Sequence, residues 1–339
     1  MMDYYRDCGK DDRYNKMRDS MLYHPDSPSQ LRVLLLKSYI ADVQRDSTYA
    51  PQLCAAFDTL LARPQQDTEI LIMKAAYQVF SKQPREAICQ TMRQVLEVDP
   101  GNETALRELL QFYAEQNDDK GVEDISRRGL NYHPEEIAYA YYLGMVLAEQ
   151  KKLTDAAEVL QQGLRVRTED IHPHLVSNVF GVLGDIYYQM GNEQEAFAAY
   201  DSALVYKDDN IMCLNNYAYY LSLKGEQLDR AEEMSYRTIR QEPENITYLD
   251  TYAWILFMKG DYAHARSYMD KVVNPERSDE ELLADSTLMG NLIEHAGDIY
   301  AHCNEPEIAL RLWKLAQQKG DNSCTPQLRK KIKRKKYIR

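Results

Sequence analysis

The chain has 339 residues, of which 28% are charged and 44% are hydrophobic, with 14 glycines and 12 prolines. That mixture excludes a disordered chain, and the low glycine and proline content disfavours a β-sandwich built from many tight turns. No run approaches the roughly 18 apolar residues that a membrane-spanning helix needs, and the first residues, MMDYYRDCGKDD, lack the basic and apolar regions of a signal peptide. We therefore expect amphipathic helices and no transmembrane segment.

The net charge of −12 is distributed unevenly along the chain. Residues 329–339 (RKKIKRKKYIR) hold eight of the 41 basic side chains, whereas all 53 acidic side chains lie before them. An acidic body repels phosphate groups, so nucleic acid is a disfavoured partner except at this basic tail. The sequence leaves two interpretations of the tail open: it solubilises the last helix, or it binds anionic lipid or nucleic acid.

The sequence shows no arrangement of residues that predicts catalysis or metal binding. Its six cysteines are scattered, with no CxxC and no short Cys/His spacing. His295 and His302 lie two turns apart on one predicted helix, and Cys303 follows His302, but no acid is placed in the sequence to orient either imidazole. We therefore predict a non-enzyme with no cofactor and no metal site.

The sequence contains repeats with a period near 35 residues. Tyr217-Ala218 recurs as Tyr252-Ala253, and Lys224-Gly225 recurs as Lys259-Gly260, in both cases 35 residues later. Prolines at positions 25, 64, 100 and 134 each follow an aliphatic residue or methionine by four positions, and their intervals are 39, 36 and 34 residues. A repeat of this length indicates stacked helix pairs.

In chain order, the repeats divide the sequence into five regions. These are a truncated N-terminal helical repeat (1–30), degenerate helical repeats (31–136), well-formed repeats (137–279), an acidic connector with the last repeat (280–323), and a basic C-terminal capping helix and tail (324–339). In the first region, a second helix from Asp11 to His24 would be preceded only by MMDYYRDCGK. An apolar face would then stay uncovered, so we expect either a longer natural protein or self-association through the N-terminal repeat.

The residues that recur at fixed positions of the well-formed repeats, which we call landmarks, resemble those of tetratricopeptide repeat (TPR) proteins. Residues 177–210 show the pattern, with Leu183-Gly184 on a first helix and then Ala196 and Tyr200 on a second. This resemblance implies an all-α fold, a right-handed superhelical solenoid of stacked antiparallel helix pairs. Segment 211–323 is also similar to the C-terminal part of long bacterial envelope-associated TPR proteins. That similarity implies a bacterial source and a location in the cell envelope or periplasm, or otherwise in the cytoplasm.

Small residues recur where the two helices of each pair should approach closely. On the first helices these are Gly144, Gly184, Ala218, Ala253 and Gly297, and on the second helices they are Ala156, Ala196, Ala231, Ala265 and Ala309. We expect the two sets to face each other, and we expect a larger side chain in either set to force the helix axes apart.

By resemblance to peptide-binding TPR proteins, the first helices line a concave groove. Side chains at certain positions of each repeat, which we call slots, face solvent in this groove. The side chains at those slots that we predict to bind a partner are Tyr141, Asp185, Tyr188, Asn215, Tyr219, Asp250, Trp254, Phe257, Glu294 and Asp298. The implied function is a non-enzymatic protein–protein interaction scaffold or adaptor that holds a peptide or protein segment in an acidic and aromatic groove.

The charge of the predicted binding residues indicates which kind of partner would bind them. The predicted slots carry four carboxylates and lysine is nearly absent from them, which disfavours a clamp for a terminal carboxylate. It favours a protein or peptide segment that carries Lys or Arg together with apolar anchors. Aromatic residues at helical spacing also pack between repeats, so packing and binding are equal alternatives for Trp254, whereas Trp313 is expected in the core.

Overall fold

The structure, a computed structural model, describes residues 4, 5, 8, 11–63, 68–166 and 172–338. These residues contain nineteen α-helices and one 3-10 turn, and no strand occurs among them. The chain divides into two compact units, residues 1–169 and residues 170–339, which we call unit 1 and unit 2. Within each unit consecutive helices pack as pairs, so the predicted all-α fold of stacked antiparallel helix pairs is confirmed.

Unit 1 contains nine of these helices. Helix α1 (Asp11–Leu22) precedes four pairs, which are α2 (Ser29–Arg45) with α3 (Ala50–Leu61), α4 (Glu69–Phe80) with α5 (Arg85–Val98), α6 (Glu103–Glu115) with α7 (Asp119–Tyr132), and α8 (Ile137–Glu149) with α9 (Leu153–Val166). The 3-10 turn Ser47–Tyr49 joins α2 to α3. Apolar side chains such as Val95, Leu106 and Leu109 are fully buried between the pairs. The degenerate region thus folds into complete helix pairs.

The N-terminal helix α1 is held on α2 by a buried arginine. Arg18 is fully buried, its guanidinium donates to Asp42 at 2.9 Å, and it lies 3.3 Å from the ring centroid of Tyr39. A stacked, paired guanidinium of this kind satisfies a charge that burial would otherwise disfavour. The predicted first helix MMDYYRDCGK lies mostly outside the described residues, and Pro64 lies outside them as well.

Unit 2 continues the same arrangement with four pairs and two extra helices. The pairs are α10 (Pro173–Gln189) with α11 (Glu193–Tyr206), α12 (Ile211–Lys224) with α13 (Leu228–Gln241), α14 (Ile246–Met258) with α15 (Tyr262–Val273), and α17 (Gly290–His302) with α18 (Pro306–Lys319). A short helix, α16 (Asp279–Ala284), forms within the predicted connector, and a last helix, α19 (Leu328–Arg334), packs on α18. A capping box explains α16, because Ser278 and Glu281 each accept from the other's backbone N–H, at 3.2 and 2.8 Å.

The turn inside a pair contains a residue with a positive φ angle. From α4 onward, the first such residues of the turns are Lys82, Asn117, Lys151, Gly191, Gly225, Gly260 and Asn304, with φ between 52° and 83°, and Gln227 is a second one in the turn between α12 and α13. This left-handed conformation lets the chain reverse while the last turn of the first helix keeps its hydrogen bonds. Only three of the seven are glycines, so the turn geometry persists in repeats that have lost the glycine landmark.

Glycines on the first helices make room for a large side chain of the second helix. A Cβ atom placed on Gly184 would lie 2.6 Å from Cε1 of Tyr200, which stands one turn after Ala196. The same arrangement pairs Gly144 with Leu160 and Gly297 with Trp313, each at 2.5 Å. The close approach predicted at these glycines is therefore confirmed, and the atoms nearest to the added Cβ belong to the residue one turn after each alanine. The alanines are fully buried, but the close approach accommodates the bulkier residue of the following turn.

Replacing Gly184 by alanine should lower the free energy of unfolding, because Tyr200 is fully buried and has no space to retreat from the new methyl group. We expect a loss of about 1–3 kcal/mol in urea unfolding. Gly181→Ala is the matched control on the same helix, since its added Cβ would come no nearer than 3.8 Å to Cys213. Alanine's helix propensity should leave that variant as stable as wild type or more stable. Equal stabilities of the two variants would contradict the close packing at Gly184.

Candidate functional site

Nine of the ten predicted binding residues lie in unit 2, on the first helices of its pairs, α10, α12, α14 and α17. Side chains of one first helix contact the next one: Asn216 Nδ2 donates to Asp185 Oδ1 at 3.1 Å, and His295 Nδ1 lies 3.0 Å from Asp250 Oδ1. We call this surface the first-helix face. The tenth residue, Tyr141, is half-buried on α8 of unit 1 and is not part of it.

The part of the face formed by α10 and α12, which we call the open end, presents aromatic rings. Tyr188 stacks on Tyr220 with ring centroids 3.8 Å apart, and Tyr219 lies beside Tyr220 at 5.7 Å. All three rings are half-buried, and Met212 at the start of α12 is 52% exposed. Partly exposed aromatic and apolar side chains of this kind suit contact with a partner's side chains.

A carboxylate lies within the open end. Asp185 accepts a hydrogen bond from the hydroxyl of Tyr200 and another from Asn216 Nδ2. Burial raises the pKa of Asp185 to about 6, although the two hydrogen bonds oppose that shift. The charge of the open end therefore changes just below neutral pH.

The part of the face formed by α14 and α17, which we call the closed end, is packed. Trp254 stacks on His295, with ring centroids 4.2 Å apart, and on Phe257, at 4.9 Å. Asp250 orients His295 from a position 45 residues earlier in the chain. The interpretation of His295 as a residue without an orienting acid is therefore wrong, because the stacking of helix pairs supplies the acid.

The charge of His295 follows from its surroundings. Burial disfavours the charged imidazolium, but the nearby carboxylates of Asp250, Asp298 and Glu294 outweigh that effect and raise the pKa of His295. Its protonated form is thereby favoured in the folded protein.

The C-terminal segment covers the closed end. Lys331 Nζ lies 2.7 Å from Glu294 Oε1 and 2.5 Å from Asp298 Oδ2. The backbone N–H of Thr325 donates to Glu294 Oε2 at 2.7 Å, and Trp313 Nε1 donates to Asp298 Oδ1 at 2.9 Å. Burial raises the pKa of Asp298 to about 6, and Lys331 opposes this shift.

Residues after α19 extend this cover. Lys335 ends α19 with a φ of 52°, in the left-handed region, so the helix stops there. The ring of Tyr337 then lies 4.8 Å from that of His302 and 5.5 Å from that of Phe257, between ring centroids. One segment thus contacts both α14 and α17.

The expected solvent exposure is wrong for six predicted binding residues. Asn215, Asp250, Trp254, Phe257, Glu294 and Asp298 are each at most 8% exposed. The C-terminal segment covers the last three, whereas His295 of the neighbouring helix packs on Asp250 and Trp254. For Trp254 the structure thus shows the packing alternative, and Trp313 is 1% exposed in the core as expected. Asp185, Tyr188 and Tyr219 keep partial exposure.

Sequence reasoning missed four residues of the face: Tyr220, His295, Lys331 and Tyr337. The first two directly follow a predicted slot residue, so a slot pattern that included the next position would have found them. Lys331 lies between Leu328 and Ile332 on the apolar side of α19. A lysine within an apolar stripe signals a buried acidic partner, because an unpaired buried ammonium is strongly disfavoured.

The side chains weighed as catalytic candidates from the sequence are buried or paired elsewhere in the structure. His295 is 4% exposed beneath Trp254, and Cys303 Sγ donates to the backbone carbonyl of Tyr262 instead of contacting an imidazole. Within the described ranges, no group of three or more His, Cys, Asp or Glu side chains could hold a metal ion. None of the described helices combines the length and apolarity needed to cross a membrane.

Comparison with known proteins supports the repeat fold. Residues 136–204 match the tetratricopeptide repeat family model. A solved tetratricopeptide repeat protein from Parabacteroides merdae shares the fold, with a TM-score of 0.53, 18% identity, and coverage of 80% of this chain and 99% of that chain. Residues 136–204 therefore carry the sequence pattern of tetratricopeptide repeats, and the structural likeness shows that the chain shares the fold.

Other solved structures match with lower TM-scores. They include MamA, with a TM-score of 0.40, 19% identity, and coverage of 55% of this chain and 95% of that chain. They also include YrrB, a TPR protein with an unusual peptide-binding site, with a TM-score of 0.42, 14% identity, and coverage of 55% and 92%. None of the curated protein sequences matches the chain significantly.

Ionisation of Asp185 should make stability depend on pH. Its pKa of about 6 in the folded protein exceeds the ordinary value of 3.8, so the ionised carboxylate destabilises the fold progressively as pH rises through this range. Asp185→Asn should therefore gain about 1 kcal/mol relative to wild type between pH 5 and pH 8. Urea unfolding at both pH values measures this difference. Asp208→Asn, at a side chain that is 86% exposed, is the control. A difference that does not change with pH would argue against a buried carboxyl at position 185.

Proposed function

We propose that this chain is a non-enzymatic scaffold that binds a peptide or protein segment along the first-helix face of unit 2. The observation that carries the proposal is the chain's own C-terminal segment on the closed end. There Lys331 lies on two carboxylates and Tyr337 lies against two rings. A surface that accommodates one basic and aromatic segment has the chemistry to accept another.

In this proposal the open end supplies the contacts for the partner. Tyr188 and Tyr219 offer half-buried rings, and Met212 offers a flexible apolar side chain that adapts to different shapes. Asp185 adds negative charge when it is ionised. The buried residues of the closed end hold α14 and α17 in place behind this surface.

Long-range charge favours a cationic partner. Residues 170–328 contain 26 acidic and 12 basic side chains. Such an excess attracts segments that carry Lys or Arg, repels acidic ones, and accelerates association at low salt. We therefore expect a partner with a basic residue close to an aromatic or aliphatic anchor, and we expect nucleic acid to be excluded from this face.

A random peptide array probed with the wild-type chain tests the proposal. It should select peptides that combine Lys or Arg with an aromatic or aliphatic residue. A Tyr188→Ala/Tyr219→Ala double variant should bind the selected peptides at least tenfold more weakly, a change of about 1.4 kcal/mol, in fluorescence polarisation. Tyr236→Ala is the control, because this tyrosine is 47% exposed but lies on a second helix, α13.

Two results would contradict this assignment. Selection of acidic peptides would refute the charge argument. Unchanged binding by the double variant would show that the partner contacts another part of the molecule.

A second candidate function involves the outer side of α19, which we call the basic face. Arg329, Lys330, Lys333, Arg334, Lys335 and Lys336 are exposed, and no ion pair joins any of them to another described residue. By contrast, Lys331 on the inner side is buried in two ion pairs. Because Leu328 and Lys331 anchor the helix, these cations are held together on one side, which suits an anionic lipid surface.

Vesicle co-sedimentation tests this second candidate. The wild-type chain should bind vesicles of phosphatidylcholine with phosphatidylserine, and added salt should weaken the binding, since each basic side chain contributes about 1 kcal/mol. Lys333→Glu/Arg334→Glu should reduce the affinity at least tenfold. Arg240→Glu/Lys314→Glu changes the net charge equally at exposed positions outside the basic face and should have a smaller effect. Equal losses in both variants would indicate a response to net charge only, and binding to duplex DNA instead of vesicles would favour nucleic acid.

A further inference from the structure

We infer that the closed end is itself a recognition surface for a lysine followed six residues later by an aromatic ring, and that residues 324–338 are its resident occupant. A partner segment with the same pattern would bind there by displacing this occupant. The inference rests on the proposed function and adds a second binding position and its regulation to the open end.

The lysine position is built from two carboxylates. Glu294 is fully buried and Asp298 is 1% exposed, and both accept from Lys331 Nζ. Thr325 adds a backbone and a hydroxyl hydrogen bond to Glu294. Two ionised carboxylates side by side repel each other, and a cation between them removes this repulsion, so the position favours a cationic side chain.

The position that accepts the aromatic ring lies beside the lysine position and is formed by two rings of the face. Tyr337 contacts His302 of α17 and Phe257 of α14. Its ring centroid also lies 5.4 Å from Lys331 Nζ, within range of a cation–π interaction. The lysine and the ring therefore support each other, and the spacing between them follows from the end of α19 at Lys335.

The contacts of residues 324–338 with the closed end are weak enough for a partner segment to replace them. Helix α19 has only seven residues, too few to be stable without its contacts to the rest of unit 2. A buried ion pair adds little net stability, because desolvation offsets the attraction between the charges. Opening removes the counter-charge of Glu294 and Asp298 and uncovers both carboxylates. The vacated position therefore attracts another cation, which selects partners that carry one.

The experiment uses the full chain and a fluorescein-labelled synthetic peptide with the sequence of residues 324–338. Tyr337→Ala removes one anchor of the resident segment at a half-buried position. This variant should bind the peptide at least tenfold more tightly than wild type, because a larger fraction of its closed end is free. Lys333→Ala, at an exposed position without contact to the face, is the control and should bind as wild type does.

Peptide variants test the recognition pattern. The peptide with Met in place of the lysine at position 331, and the peptide with Ala in place of Tyr337, should each bind the Tyr337→Ala chain at least tenfold more weakly than the parent peptide. A scrambled peptide of the same composition controls for attraction by the acidic body. Equal binding of the scrambled peptide would overturn the inference, and so would equal binding of the parent peptide by the variant and wild-type chains.

Hydrogen exchange on the wild-type chain provides an independent measurement. Amides of α19 should exchange faster than those of α18, and adding excess unlabelled peptide should accelerate their exchange further. Exchange of α19 only through global unfolding would refute displacement. If these tests fail while array peptides still depend on Tyr188 and Tyr219, the proposed function stands and only the closed-end inference falls.

Discussion

Three of the four first helices of unit 2, α10, α14 and α17, place a carboxylate against a helix that packs on them, and this packing depends on a polar partner for the carboxylate. Asp185 accepts a hydrogen bond from Asn216 of α12, and Asp250 contacts the imidazole of His295 of α17. Helix α17 is followed by no further pair among the described residues, and Lys331 of α19 takes the equivalent role for Glu294 and Asp298. Helix α19 thus gives the last pair the same kind of polar contact that joins the earlier pairs, and it keeps both carboxylates buried with a counter-charge.

This constraint differs from the apolar packing that joins the two helices within a pair. Apolar contacts such as those of Leu214 or Leu221 tolerate small shifts of one helix against another, whereas a buried carboxylate accepts only a partner in a narrow range of positions. The polar contacts therefore favour one register between the helices that they join. Their contribution lies more in specificity than in net stability, because desolvation offsets most of the attraction.

The sequence predicted the helix pairs because their determinants are local or repeat at a regular interval. Gly184 and the buried Ala196 belong to one repeat, and the reversal of the chain at Asn117 needs only a residue that tolerates a positive φ angle. The binding face was harder to predict. Its chemistry depends on contacts between residues far apart in the sequence, such as Lys331 with Asp298, 33 positions apart, and His295 with Asp250, 45 positions apart. A slot pattern from one repeat does not contain them.

The tryptophans of this chain are fluorescent probes of the closed end. It has two tryptophans, and both touch the closed end: Trp254 stacks on His295, and Trp313 donates to the carboxylate of Asp298 that also holds Lys331. A protonated imidazole quenches the emission of an indole stacked on it, and a lost hydrogen bond at the indole nitrogen shifts that emission. Tryptophan emission, excited at a wavelength that tyrosine does not absorb, therefore originates in unit 2. It responds to the protonation state and occupancy of a single cluster of side chains.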